Sequence, residues 1–126
     1  MKLRIKGNTL RLRGSRSEVA RLIESGRIEE TIQFAPAPEA RLTYALELSD
    51  AQPEVAVRYR PQEVAVLVAS ETARLWAQSD QVGIYANLSV AEGVLEIAVE
   101  KDFACLDGSD AENEDTFPNP QQGAVC

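Results

Sequence analysis

Histidine is absent from the 126 residues, which removes the commonest general base and the commonest zinc ligand in one step. Cysteine is nearly absent: Cys105 and Cys126 are the only two, too few for a disulfide framework, and they read as cytosolic thiols. No run approaches the roughly 20 apolar residues that a membrane-spanning helix needs. The opening Met1-Lys-Leu-Arg-Ile-Lys6 alternates charge with apolar groups where a signal peptide would carry a continuous apolar stretch. A cytoplasmic setting with no membrane partner is therefore expected. Gly-rich phosphate loops, nucleophile elbows, paired-cysteine zinc spacings and dinucleotide fingerprints are missing too. No catalytic residue, metal or cofactor is expected, and nothing in the sequence recommends an enzyme.

What is present suits one globular domain: 44% apolar and 26% charged residues in a chain of 126, long enough to bury a core without staples. The net charge of −7 is unevenly spread. Residues 1 to 27 hold eight of the thirteen Lys and Arg against Glu18 and Glu24, whereas residues 100 to 115 hold seven acids against Lys101. A chain this acidic is repelled by nucleic acid as a whole, although a local basic face can still hold an anion.

Leu3, Ile5, Leu10 and Leu12 alternate with Lys2, Arg4, Lys6, Arg11 and Arg13 around Gly7-Asn8, the period-two pattern of a half-buried hairpin with a two-residue turn. That register sets Ile5 opposite Leu10, Arg4 opposite Arg11, Leu3 opposite Leu12 and Lys2 opposite Arg13. Ser15-Arg-Ser-Glu18 is a capping box for a helix over residues 16 to 25 that stops at Gly26. Two alternating runs follow, at 28–34 and 41–48, separated by a Pro-containing loop.

From Val55 the pattern restarts. Val57, Tyr59, Val64 and Val66 match Leu3, Ile5, Leu10 and Leu12 with a shift of 54, and Ser70-Glu-Thr-Ala-Arg-Leu75 matches Ser17-Glu-Val-Ala-Arg-Leu22 with a shift of 53. Strands at 82–88 and 94–100 complete the second unit. The expectation is an α+β domain over residues 1–107, built from tandem duplicated ββαββ units at 2–48 and 55–101 that share one core. They would form one curved, mostly antiparallel sheet or a partly closed barrel, with two helices on its apolar face. Residues 108–126 read as an acidic, disordered tail.

The sharpest candidate site is the cationic face of the first hairpin. Arg4 opposite Arg11 and Lys2 opposite Arg13 oppose like charges, at a cost of up to about 1 kcal/mol a pair. Three things can offset that: an anionic ligand or partner held by Arg4, Arg11 and Arg13, joined by Arg58 and Arg60; the interleaved carboxylates Glu29, Glu47, Glu96 and Glu100; or the acidic tail folding back. The hairpin carries no aromatic group for base stacking, so nucleic acid is not expected. Glu30 falls on the apolar parity of its strand, and is either a buried acid with a functional role or a carboxylate at a solvated edge. Trp76 reads as core and Tyr85 as surface. Asp107, Asp110, Glu112, Glu114 and Asp115 lack the spacing of a calcium loop.

Through Met1-Lys-Leu-Arg-Ile-Lys-Gly-Asn-Thr-Leu-Arg-Leu-Arg13, Ser17-Glu-Val-Ala-Arg-Leu22, Glu100-Lys-Asp-Phe-Ala-Cys105 and Phe117-Pro-Asn-Pro120, the chain resembles a family of short bacterial proteins of unknown function. That resemblance implies no activity. The doubled unit is also similar, with strands regrouped, to the paired modules of the vicinal oxygen chelate superfamily. Its metal ligands are mainly His and Glu, so a chain without His would keep at most the architecture and a metal-free pocket. The expected function is an uncharacterised binding or interaction domain that recognises an anion. The alternatives are a small-molecule pocket or small enzyme between the repeats, and a homo-oligomer paired through a strand edge.

Overall fold

The computed structural model describes residues 1–51, 53–103 and 115–118. The strands are β1 (Lys2–Lys6), β2 (Thr9–Gly14), β3 (Arg27–Gln33), β4 (Arg41–Leu48), β5 (Val55–Arg60), β6 (Glu63–Val68), β7 (Gly83–Val90) and β8 (Gly93–Lys101). Helix α1 (Arg16–Ser25) follows β2, and α2 (Ser70–Gln78) follows β6. No helix is long and apolar enough to cross a membrane among the described residues.

The first hairpin takes the register its alternation requires, from Lys2 opposite Arg13 to Lys6 opposite Thr9. Gly7 supplies the positive φ of +55° at the first turn position, which a side chain would disfavour. In α1 the Ser15 hydroxyl accepts from the Glu18 N–H while the Glu18 carboxylate accepts from the Ser15 N–H, and Gly26 ends the helix at φ +86°.

The strands build two four-stranded mixed sheets, not the single sheet or partly closed barrel that alternation suggested. The first has the order β1-β2-β8-β7 and the second β3-β4-β6-β5. The outer pairs of each are antiparallel hairpins, but the central pairs, β2 with β8 and β4 with β6, are parallel. Every sheet therefore combines one hairpin from residues 2–48 with one from residues 55–101. Hairpins are encoded locally by turns and alternation, whereas the joining of two distant hairpins has no local sequence signal. Among the described residues four of the six strand pairs are antiparallel, as expected of a mostly antiparallel arrangement, and the parallel pairs at the sheet centres had no such signal.

Exchanging the two halves maps one sheet order onto the other, β1-β2-β8-β7 onto β5-β6-β4-β3. The registers follow: Leu10 faces Ile97 and Leu12 faces Val99 in the first sheet, and Val64 faces Tyr44 and Val66 faces Leu46 in the second. Leu10, Leu12, Ile97 and Val99 join Leu46, Val66, Val68, Val19, Leu22 and Trp76 in one buried cluster. Trp76 is fully buried, and its indole N–H donates to the Val82 carbonyl at 3.1 Å.

The helices keep the exchange less faithfully. The matching hexapeptides pair Leu22 with Leu75, yet Leu22 is 1% exposed and Leu75 is 64% exposed. Val19 and Leu22 of α1 have Ala73 and Trp76 as their buried counterparts in α2, a shift of 54 and not 53. The identity of the hexapeptides is thus one residue out of phase with the buried face. It is in phase with a polar contact: Asp115 accepts from the Ser17 N–H and hydroxyl, and Asp50 does the same for Ser70.

The tail is not wholly free. Asp115 sits at the start of α1, Phe117 N–H donates to the Asp102 carbonyl at 2.9 Å, and the Phe103 and Phe117 rings pack edge-on at 6.2 Å. Beneath them Lys101, 5% exposed, donates to the Ser79 carbonyl at 2.6 Å and lies 5.3 Å from the Phe117 ring centroid. Burial there lowers the Lys101 pKa. Cys105, Asp107, Asp110, Glu112, Glu114 and Cys126 lie outside the described residues.

Candidate functional site

Strand alternation gives each sheet an outward face, and the two faces treat their cations differently. On the second sheet Arg27 and Glu47 are cross-strand partners, and Arg58 lies two strands away from Glu47. Arg27 donates to Glu47 at 2.7 Å and to Glu63 at 3.3 Å. Arg58 reaches the same two carboxylates at 2.9 and 3.3 Å. The guanidinium of Arg58 first, then that of Arg27, holds the Glu47 carboxyl down at about 2. Ala45 and Ala65 share this face and are fully buried, so the ion network acts as their cover. Arg58, expected at an anion site, already has its anions.

The outward face of the first sheet carries Lys2, Arg4 and Lys6 on β1, Thr9, Arg11 and Arg13 on β2, Glu96 and Glu100 on β8, and Tyr85 on β7. Glu100 serves Arg11 at 3.1 Å, Arg13 at 3.7 Å and the Tyr85 hydroxyl at 2.6 Å. Lys2 is held by Asp102 at 2.9 Å. Tyr85 is 60% exposed, but its hydroxyl lies against Gly83. Burial there, and then the Glu100 bond, push its phenol up to about 12. Arg4 and Lys6 make no hydrogen bond or ion pair with any described residue, and with Thr9 and Arg11 they line a hollow of about 180 Å³.

The exchange of halves shows why. Arg4 occupies the place of Arg58, Lys6 that of Arg60, Glu100 that of Glu47, and Thr9 that of Glu63. Where the second sheet puts Glu63 beside β5, the first puts Thr9 beside β1. Its carboxylate, Glu96, stands one strand further off and accepts from the Thr9 hydroxyl at 2.9 Å. Gly83 stands where the second sheet has Arg27, and a Cβ there would come within 2.8 Å of the Val99 carbonyl. Among the described residues the first face has no carboxylate at the place of Glu63, next to its edge cations.

The expected residues thus divide. Arg4, Arg11 and Arg13 share one face, while Arg58 and Arg60 belong to the other sheet and cannot join them. Glu30 is not a buried acid. It lies on the edge strand β3 with its side chain 45% exposed, 3.1 Å from the Met1 ammonium and accepting from the Tyr44 hydroxyl at 3.0 Å. The strand edge, where water reaches the inward row, explains that exposure. The Met1 ammonium is also paired with Glu18. Sequence reasoning missed Lys6 and Thr9 as parts of the hollow and Glu63 as a neutralising partner, although the hairpin register already placed Lys6 against Thr9.

A second concavity of about 670 Å³ opens between the edges β5 and β7, lined by Val55, Val57, Tyr59, Val64, Leu88 and Leu95 with no charged group. All its residues lie between Pro53 and Leu95 and none comes from residues 2–48, so it is not a cleft between the two units.

No curated protein and no solved structure matches this sequence. Residues 1–121 match the model of a family of unknown function, DUF7009, and the chain belongs to that family.

Proposed function

We propose that this is a cytoplasmic binding domain that recognises an anionic group, phosphate or carboxylate, through Arg4, Lys6 and Arg11. One observation carries the proposal: Arg4 stands without a counter-charge among the described residues and lines the hollow with Lys6, while the equivalent Arg58 is held by Glu47 and Glu63. An anion in the hollow would supply what Thr9 cannot, and Arg11, half-buried and steadied by Glu100, would add a guanidinium fork suited to two oxygens. Arg13 stays a supporting cation, engaged with Glu100.

The test is thermal unfolding in phosphate against chloride at matched ionic strength, on wild type and on the Arg4→Ser, Lys6→Ser double variant. At phosphate tenfold above its Kd the wild type should gain about 4 °C or more, and the variant should gain nothing beyond chloride. Equal gains in both proteins would reject the reading.

The apolar groove beside Tyr59 supports a second reading, a neutral small molecule, because its volume falls in the range of ligand pockets and no charge lines it. A solvatochromic dye should report binding that Leu88→Glu abolishes. An unchanged titration in the variant would dismiss the groove.

We also read residues 2–48 and 55–101 as copies of an ancestral unit. The support is the exchange of sheet order with matching registers, against which the out-of-phase hexapeptides in the helices must be weighed. Because each sheet draws a hairpin from both halves, residues 1–52 alone should either stay unfolded or assemble as a dimer. A folded monomer in sedimentation would argue against it.

A further inference from the structure

We infer that the anionic partner is an extended acidic peptide segment that adds as a strand to the edge of β1 left unpaired among the described residues. This inference rests on the anion reading above and names the partner's form. Among the described residues β1 pairs with β2 alone and is the last strand of its sheet. In an antiparallel hairpin closed by a two-residue turn, the closing pair Lys6–Thr9 and every second pair from it bond to each other. Lys2, Arg4 and Lys6 therefore direct their backbone groups to β2, while Leu3 and Ile5 direct theirs outward to the open edge.

An incoming strand would meet two chemistries in alternation. On the outward face it would pass Arg4 and Lys6, which lack counter-charges among the described residues, and Lys2, which Asp102 already holds. On the other face it would pass Ile5, 62% exposed, and half-buried Leu3. The complement is a segment with Asp or Glu at every second position and aliphatic residues between them, its main chain giving affinity and its side chains giving register. A second copy of this chain is a poor occupant of the same edge, because pairing β1 with β1 would set cation against cation.

The experiment uses the full chain and two labelled octapeptides, one alternating Val and Glu and one with four Glu ahead of four Val, with binding read by fluorescence anisotropy. The alternating peptide should bind at least tenfold more tightly, with affinity falling as salt rises. Ile5→Pro removes an edge N–H and the apolar contact but leaves the cations. It should weaken the alternating peptide at least tenfold and keep the phosphate-dependent rise in melting temperature, which also reports that it folds. Arg4→Ser should lose both responses. If the two peptides bind alike, or neither binds while phosphate still stabilises the protein, strand addition is wrong and the anion reading stands. If peptide and phosphate both fail, the anion reading itself is wrong. Should Ile5→Pro not fold, the comparison of the two peptides on wild type decides.

Discussion

The outer faces of the two sheets are built on the same scaffold and finished differently. On the second, Glu47 and Glu63 lie among Arg27 and Arg58 and close the face over Ala45 and Ala65. On the first, Glu100 is divided between Arg11, Arg13 and Tyr85, and the edge cations Arg4 and Lys6 have no carboxylate partner among the described residues. Like charges are opposed on the first face, Arg4 to Arg11 and Lys2 to Arg13, whereas on the second Arg27 faces Glu47 and Arg60 faces Glu63. The difference is whether a described residue supplies the compensating carboxylate, and a face that lacks one among the described residues is where an external anion fits.

The largest effect expected from breaking this comparison is at Glu47. Glu47→Gln should lose about 2 kcal/mol at pH 7 in urea unfolding, since it removes several charge-assisted bonds at once. Glu100→Gln should lose less, because its partners are more exposed. The pH dependence has a definite sign. With its folded pKa near 2 and an ordinary carboxylate value when unfolded, Glu47 contributes stability fully above about pH 4.5 and loses it as pH falls toward 2. The gap between wild type and Glu47→Gln should therefore narrow over that window, and a constant gap would count against the network.

Gly83→Ala should cost about 1 to 3 kcal/mol, because the added Cβ meets the Val99 carbonyl at 2.8 Å. That steric limit prevents the first sheet from carrying an equivalent of Arg27. A neutral Gly83→Ala in urea titration would show that the strand can shift to accommodate it. The smallest effect is the most informative. Thr9→Glu with Glu96→Thr rebuilds the carboxylate placement of the second sheet, should change stability by only about 0.5 kcal/mol, and should abolish the phosphate response.

Features governed by neighbours in sequence were legible beforehand. The Gly7 turn, the Ser15–Glu18 capping box and the register opposing Arg4 to Arg11 all follow from alternation and turn chemistry. The union of β2 with β8 was hidden because parallel partners more than eighty residues apart leave no local trace. For the same reason Arg58 and Arg60 were assigned to a face they do not share. Trp76 was read as core from its size and is buried, but the hexapeptide identity that paired Leu75 with buried Leu22 does not follow the buried row, which leaves Leu75 outside. Docking of Asp115 and Phe117 was missed because two residues in an acidic, apolar-poor stretch carry no periodic signal.

The most direct measurement is a phosphate titration followed by nitrogen-15 resonances of the arginine side chains. The Nε signals of Arg4 and Arg11 should move with saturable curves, while that of Arg58, locked between Glu47 and Glu63, stays in place. Movement of Arg58 equal to that of Arg4, or no movement of either, would contradict the assignment of one closed face and one open to an anion.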